Sequence, residues 1–402
     1  MLGCAAPLNG SIPEFAFMPT QHFVLTDVSR RIWNETFVLG PAEDLQLAGS
    51  DGWSVKKHTL RGGVSEGVDV VEVNNGRLSF SILPTRGMGL WKGKCDRLAL
   101  GWKAPVKLPV HPAFVDARDR GGIGWLAGFN EWLCRCGLEF NGPPTEEGTL
   151  HGRIANRPAH YVDVSISTDG PGTISVSGTV DETTMFGSCL RLKSTVQTEA
   201  GSKRLRIIDE VTNLRGVPGE LELLYHINMG RPFLEPGAKF VAAVREVAPR
   251  DPRAAEGIDE FETYAAPVAG YAEQCYFFDL LADGTGWTQT LLKNAHGDKG
   301  VSVCFDTKQL PCFTLWKNTQ SEEDGYVTGL EPATNFPNRK DFERKQGRVI
   351  TLAPAASHTS TLEIVVHSTA QMVQTAETEI AELQNGIGPR LHRQPLEKWS
   401  PP

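Results

Sequence analysis

The sequence lacks a basic surplus. Asp and Glu number 48 against 40 Lys and Arg, a formal net charge of −8. No general cationic field exists to hold a nucleic acid. Long apolar runs are missing too. None approaches the roughly 18 to 20 residues that a membrane helix needs, so no membrane span is expected. The start, Met1-Leu-Gly-Cys4-Ala-Ala-Pro7, has a lipoprotein-like Leu-Gly-Cys, but no charged or apolar segment precedes it. It reads as a cytoplasmic N-terminus. Cysteines are few and scattered, eight in all, and only Cys134 and Cys136 are close neighbours. Without paired Cys-x-x-Cys spacing there is no structural zinc framework, and the thiols read as reduced and partly buried. Helical periodicity is scarce. Ala370–Gln384 is amphipathic and closed by Asn385-Gly386. Asp27–Phe37 reads as a second, short helix.

What is present is a succession of short β-runs. Val68–Val73, Leu78–Leu83, Val162–Ser167, Thr173–Gly178, Cys189–Val196, Arg204–Val211 and Ser360–Val366 mostly alternate apolar and polar residues. That pattern belongs to strands with one face on a core. Asn75-Gly76 and Asp169-Gly170-Pro171-Gly172 punctuate them as turns. Many strands without βαβ alternation predict antiparallel sheets packed as a sandwich. The chain divides into an N-terminal extension (1–60) packed on the main domain, a β domain (61–386) and a loose C-terminal tail (387–402).

Three ionisable residues stand where a β-run gives way to Gly or Pro. Glu331 ends Tyr326-Val-Thr-Gly-Leu-Glu331 and precedes Pro332 and Pro337, which restrict the backbone around it. His151 lies in Leu150-His151-Gly152-Arg153, and His226 in Tyr225-His226-Ile-Asn228. Taken singly, each is as well explained as a hydrogen-bonded structural residue. Their shared position raises the question of whether they converge.

In order and spacing, Leu150-His151-Gly152, Tyr225-His226-Ile-Asn228 and Gly329-Leu-Glu331-Pro332 resemble the three motifs of the aldose 1-epimerase (galactose mutarotase) superfamily. Arg86-Gly-Met88, Cys136-Gly-Leu138, Asn141-Gly-Pro143 and His151-Gly-Arg153 resemble a less-characterised aldose 1-epimerase-like branch. The resemblance spans roughly residues 55–368. It implies a β-supersandwich and cofactor-independent interconversion of sugar anomers, with a small-molecule sugar as partner and no metal. Opening the ring requires a proton taken from the anomeric hydroxyl and one given to the ring oxygen. A carboxylate suits the first task and an imidazole the second. By motif, Glu331 is the base, His226 the acid and His151 a supporting donor.

The chain departs from the pattern where Arg153 replaces a second glycine after His151. The acidic residue that usually binds a sugar hydroxyl has no clear counterpart; Asp279 and Asp259 are the candidates. Arg153, Arg231, Arg86 and Lys317 surround the motifs in sequence. Two or more of them in one pocket would select an anionic sugar, since guanidinium holds carboxylate or phosphate bidentately; salt bridging is the bland alternative for each. Leu315-Trp316-Lys317-Asn318 resembles the Val-Trp-Asn run of hexose-phosphate mutarotases. Of Trp91, Trp102, Trp125, Trp132 and Trp316, the last is the preferred stacking surface for a sugar, and the others read as core. Asn141 and Asn335 are read as amide donors to hydroxyls. Two other classes stay open, a sugar-binding or regulatory protein without turnover and a lyase or hydrolase on the same fold. The number of subunits is open as well.

Overall fold

Alternation in the sequence becomes one-sided burial in the structure. In Tyr161–Ser167, Thr173–Thr183 and Cys189–Glu199 every second side chain is buried. The strands of Gly219–Met229 and Tyr326–Ala333 are instead enclosed on both faces over most of their length. These features come from a computed structural model that describes residues 20–42 and 45–401. The Met1–Pro7 stretch lies outside the described residues.

Two sheets make the sandwich. The first has ten strands, running from Lys239–Ala242 at one edge to Ile32–Trp33 at the other. The second has fourteen and contains Leu133–Leu138, Gly219–Met229, Cys312–Thr319 and Tyr326–Ala333 as central neighbours. Pairing in the central parts of both sheets is antiparallel. Between the sheets lies the main core, with Val164, Val176 and Ile207 from one side and Leu223, Ile227 and Leu330 from the other.

Period-two geometry then gives the large sheet a second face. Arg135 and Tyr225 point into the sandwich, so Cys134, Cys136, Leu224 and His226 point away from it. That outer face is not left to solvent. A smaller apolar cluster covers it, containing Trp125, Phe129, Phe277, Phe336 and, from the C-terminus, Trp399.

The helix Ala370–Gln384 forms as its periodicity predicts, with Thr369 capping its start and Asn385 left-handed at its end. Asp27–Phe37 does not form a helix. A single 3-10 turn, Val28–Arg30, stops at Arg31, which is left-handed at φ 57°, and two short strands follow. Gln21–Asp27 and Ser54–Thr59 are strands of the two sheets, so residues 20–42 and 45–60 are woven in rather than appended. Residues 387–401 are tied down. Arg390–Leu391 pairs in parallel with Val244–Pro249, and Asn338 Nδ2 donates to the Trp399 carbonyl at 2.7 Å. The local composition looked loose because the partners that hold this segment lie far away in sequence. Among the described residues no helix is long and apolar enough to cross a membrane.

Candidate active site

Register assembles the site. Cys134 lies opposite His226, and Thr314 opposite Glu331. Ile227 opposite Leu330 and Leu224 opposite Ala333 set His226 level with Glu331. A single cross-strand row therefore reads Cys134, His226, Glu331, Thr314, Phe277 on the outer face. His226 Nε2 is 3.3 Å from Glu331 Oε1, with both side chains under one-tenth exposed. The distance is within ion-pair reach, but the angle makes no hydrogen bond, and Glu331 Oε1 and His226 Nδ1 have no partner in the protein.

His151 arrives from a turn rather than a strand. It is left-handed at φ 58°, and its backbone bonds to Gly142 and Gly137 at 3.0 Å each. Gly152 after it is obligatory. A Cβ there would stand 2.0 Å from the Phe140 carbonyl and 2.4 Å from that of Gly137. The close approach is thus to the chain's own backbone. His151 Nδ1 lies 3.0 Å from the Asn141 carbonyl, and its ring centroid is 5.7 Å from that of His226.

Aromatic rings wall this group. Trp125 stands edge-on to His151 at 4.8 Å, Phe129 to His226 at 5.0 Å, and Trp316 to His226 at 5.2 Å. Trp102 packs on Phe129 at 5.2 Å. Trp316 is held by Glu273, whose Oε2 accepts from its indole N–H at 2.6 Å, and Glu273 also pairs with Arg250 at 3.2 Å. Two cavities of about 700 Å³ lie elsewhere, one on the ten-stranded sheet beside Arg204 and Arg206, the other beside Arg118 and Arg153.

Burial sets the protonation of the trio. It pushes the Glu331 carboxyl well above the usual carboxylate range, and nearby Cys136 and Glu273 push the same way against His151 and Arg250. Burial, with His151 beside it, pulls His226 down to about 3. For His151 burial acts downward, but Cys136, whose thiol Cys134 and His151 bring down to about 6 against burial, acts as a thiolate and with the Asn141 carbonyl and the Glu331 carboxylate raises the ring to about 9. The surroundings thus favour the protonated form of His151 and of the Glu331 carboxyl, and the neutral ring of His226.

The predicted cationic rim does not assemble. Arg86 is 1% exposed, pairs with Glu131 at 2.6 Å and donates to the Val110 and Gly128 carbonyls and Asn156. Arg153 pairs with Glu139 at 2.8 Å and bonds Thr184. Arg231 pairs with Glu322 at 2.6 Å. Lys317 faces away from Trp316 by strand alternation and gives its ammonium to the Phe261 and Thr263 carbonyls at 2.9 and 2.7 Å. In each case a nearer partner satisfies the charge. Asn141 and Asn335 are fully buried and bond each other reciprocally at 3.1 and 3.2 Å. They brace the His151 turn against the loop after Glu331 instead of offering amides to a ligand. Asp279 and Asp259 pair with Arg245 and Arg393. The acidic group beside the site is Glu273. Trp91 and Trp132 pack elsewhere, in a small cluster and in the main core.

Phe129, Glu273 and Arg250 were not foreseen. Phe129 sits in a long loop without periodicity, and the two charged residues have no local signal; only the rows Trp316–Cys275 and Arg250–Cys275 bring them near.

This architecture, a two-sheet antiparallel sandwich, is that of the galactose mutarotase-like proteins. Within that class the chain belongs to the family described as domain of unknown function DUF4432, whose model matches residues 65–366. A solved structure from Klebsiella pneumoniae subsp. pneumoniae, of a protein provisionally named an aldose 1-epimerase, is 34% identical. It covers 94% of this chain and 99% of its own, with a TM-score of 0.90. A galactose mutarotase-like protein from Clostridium acetobutylicum is 18% identical over 78% of this chain and 98% of its own, TM-score 0.55. Galactose 1-epimerase from Lactobacillus acidophilus is 12% identical over 79% of this chain and 100% of its own, TM-score 0.52. The last two share the fold. No match was found among curated proteins.

Proposed function

We propose that the chain is a cofactor-independent aldose 1-epimerase acting on an uncharged sugar. The observation that carries the reading is the Glu331–His226 pair, 3.3 Å apart and enclosed, with unpartnered polar atoms on both residues. Binding alone does not call for a matched carboxyl and imidazole whose proton affinities burial has moved in opposite directions.

The cycle needs one proton shared by the pair. In the bound state that proton passes from Glu331 to His226, leaving carboxylate beside imidazolium. Glu331 then takes the proton of the anomeric hydroxyl as the bond from the anomeric carbon to the ring oxygen breaks, and His226 protonates that oxygen. Rotation about the first carbon–carbon bond and the reverse transfers close the other anomer. Protons balance over the cycle. Charged His151 offsets the negative charge that develops on the sugar oxygen. An uncharged substrate is favoured because the charges of Arg86, Arg153, Arg231 and Lys317 are spent on other partners and Arg250 beside the site is paired with Glu273. The aromatic wall suits a sugar's C–H face.

Glu331→Gln tests the reading. Anomerisation of a panel of neutral and anionic aldoses, followed by NMR saturation transfer, is expected to fall by at least about a thousandfold in kcat for a neutral sugar. An unchanged rate would remove Glu331 from the chemistry. Preference for the anionic sugars would overturn the substrate class.

A further inference from the structure

We infer that Glu273 is a positioning residue for substrate binding, holding the Trp316 ring in the wall of the site so that a sugar can stack against it. The stacking role rests on the epimerase reading; the hold on the ring does not.

Strand pairing brings the two residues together. Cys275 lies opposite Trp316, and Glu273, just before the strand Gln274–Leu280 begins, is the diagonal neighbour. Diagonal neighbours stand about 7–8 Å apart, within reach of a long side chain. Glu273 Oε2 accepts the Trp316 indole N–H at 2.6 Å, a short bond to a charged acceptor. Its Oε1 accepts from Arg250 Nη2 at 3.2 Å, so the carboxylate is held from a second side. Arg250 is fixed in turn. Its backbone N–H donates to the Cys275 carbonyl at 2.9 Å and its Nε to Asp251 at 2.8 Å, and Asp251 caps the short helix Pro252–Ala255. A chain of bonds thus runs from a helix start to one wall of the site. Glu273 stands outside every motif of the sequence.

Of the three tryptophans in the wall, only Trp316 is oriented by another side chain's hydrogen bond. The Trp102 N–H goes to the Glu131 main-chain carbonyl at 3.0 Å, and Trp125 is 1% exposed and held by packing, its N–H without a partner. Trp316 is only half-buried, and Gly329, directly opposite it, has no side chain to prop the ring. The ring nevertheless stands 5.2 Å from His226 and 6.3 Å from Phe129. A ring already fixed there gives up no rotamer freedom when a sugar arrives, whereas a loose one must be ordered at the expense of affinity. Because the Glu273 side chain is 46% exposed, its loss frees the ring and leaves the fold intact.

The experiment uses the full chain with its nine tryptophans ¹⁵N-labelled, the Trp316 indole resonance being the one lost in Trp316→Leu. In Glu273→Ala this resonance is expected to move upfield and its hydrogen exchange to quicken about tenfold, while the other indoles keep their shifts. Glu273→Gln, which keeps a carbonyl acceptor, should fall between. An unmoved Trp316 resonance in the Ala variant, or a shift of all indoles together, would overturn the inference. In turnover, Glu273→Ala should raise KM for a neutral aldose about tenfold and leave kcat within about twofold. In the Trp316→Leu background the same change should add less than about twofold, because its effect passes through the ring. Full additivity would make Glu273 a substrate contact, and a loss confined to kcat would place it in the chemistry; either result overturns the inference. If the wild type anomerises no sugar, the epimerase reading fails, and the indole resonance alone decides whether Glu273 holds the ring.

Discussion

His151 and His226 are the same residue type, 5.7 Å apart, and their surroundings drive them in opposite directions. His226 loses its proton because burial and a charged neighbour both disfavour the imidazolium, which brings it to about 3. His151 keeps one because the Cys136 thiolate and the Asn141 carbonyl overcome burial and raise it to about 9. The sign for stability follows. His151, raised from an ordinary 6.5, contributes stability that is complete below pH 6.5 and is lost as pH rises through about 9. His226, depressed from 6.5, contributes above pH 6.5 and loses its contribution as pH falls towards about 3. Turnover should therefore hold to about pH 9 and decline above it as His151 deprotonates. A kcat–pH profile of wild type and His151→Gln checks this. The variant should be slower and lack the basic limb, and an unaltered limb would assign it to another group. None of this could be read from the motifs, which place both histidines without saying which is charged.

At the scale of one strand, Tyr326–Ala333 carries a second device beside its glutamate. Gly329 shares a face with Glu331, and a Cβ at 329 would stand 2.3 Å from Glu331 Oε1 and 3.2 Å from His226 Cε1. Its backbone is ordinary extended chain, so the glycine is there for space and not for conformation. Gly329→Ala should displace the carboxylate while the strand survives. A fall in kcat on the order of a hundredfold is expected, the scale of an ångström's misplacement at a reacting group. Tm should drop by only a few degrees. Coupled loss of fold and activity, seen by thermal melts beside the kinetics, would mean the glycine is structural. The Gly329-Leu-Glu331 spacing was visible in the sequence, but it looked like a motif letter. The strand pairing shows what it makes room for.

For the whole molecule, the sheet that carries the site is fastened to its partner from behind. Arg135, between Cys134 and Cys136, turns into the sandwich and bonds Asp209 on the ten-stranded sheet through both Nε and Nη2, and Ser194 at 2.7 Å. The Tyr225 hydroxyl bonds Asp209 at 2.8 Å and Ser360 at 2.7 Å. Arg135 and Asp209 are fully enclosed. Removing one charge of such a pair strands the other, at a cost of about 3–5 kcal/mol, whereas replacing both with apolar groups costs much less. Asp209→Asn should therefore lower the stability measured by urea unfolding more than the double change Arg135→Met with Asp209→Leu. The reverse order would show that the network contributes attraction beyond its own desolvation.

What the sequence determined by itself is local and periodic. Alternation in Thr173–Thr183 or Cys189–Glu199 dictates a half-buried strand wherever it folds, and Thr369 with Asn385 bounds a helix. Glu331, His151 and His226 were legible by motif, but the strand ends expected there hold only in part. His151 stands in a turn, whereas His226 and Glu331 lie inside Gly219–Met229 and Tyr326–Ala333, and it is the pairing of these strands that brings the two level. Only the tertiary structure decided which charges were free. Arg86 meets Glu131 45 residues away, and Asn141 meets Asn335 194 residues away. An arginine near a motif looks the same whether it awaits a ligand or is satisfied by a distant carboxylate. The choice is made by whichever partner the pairing of remote strands brings within 3 Å, and no local pattern encodes it.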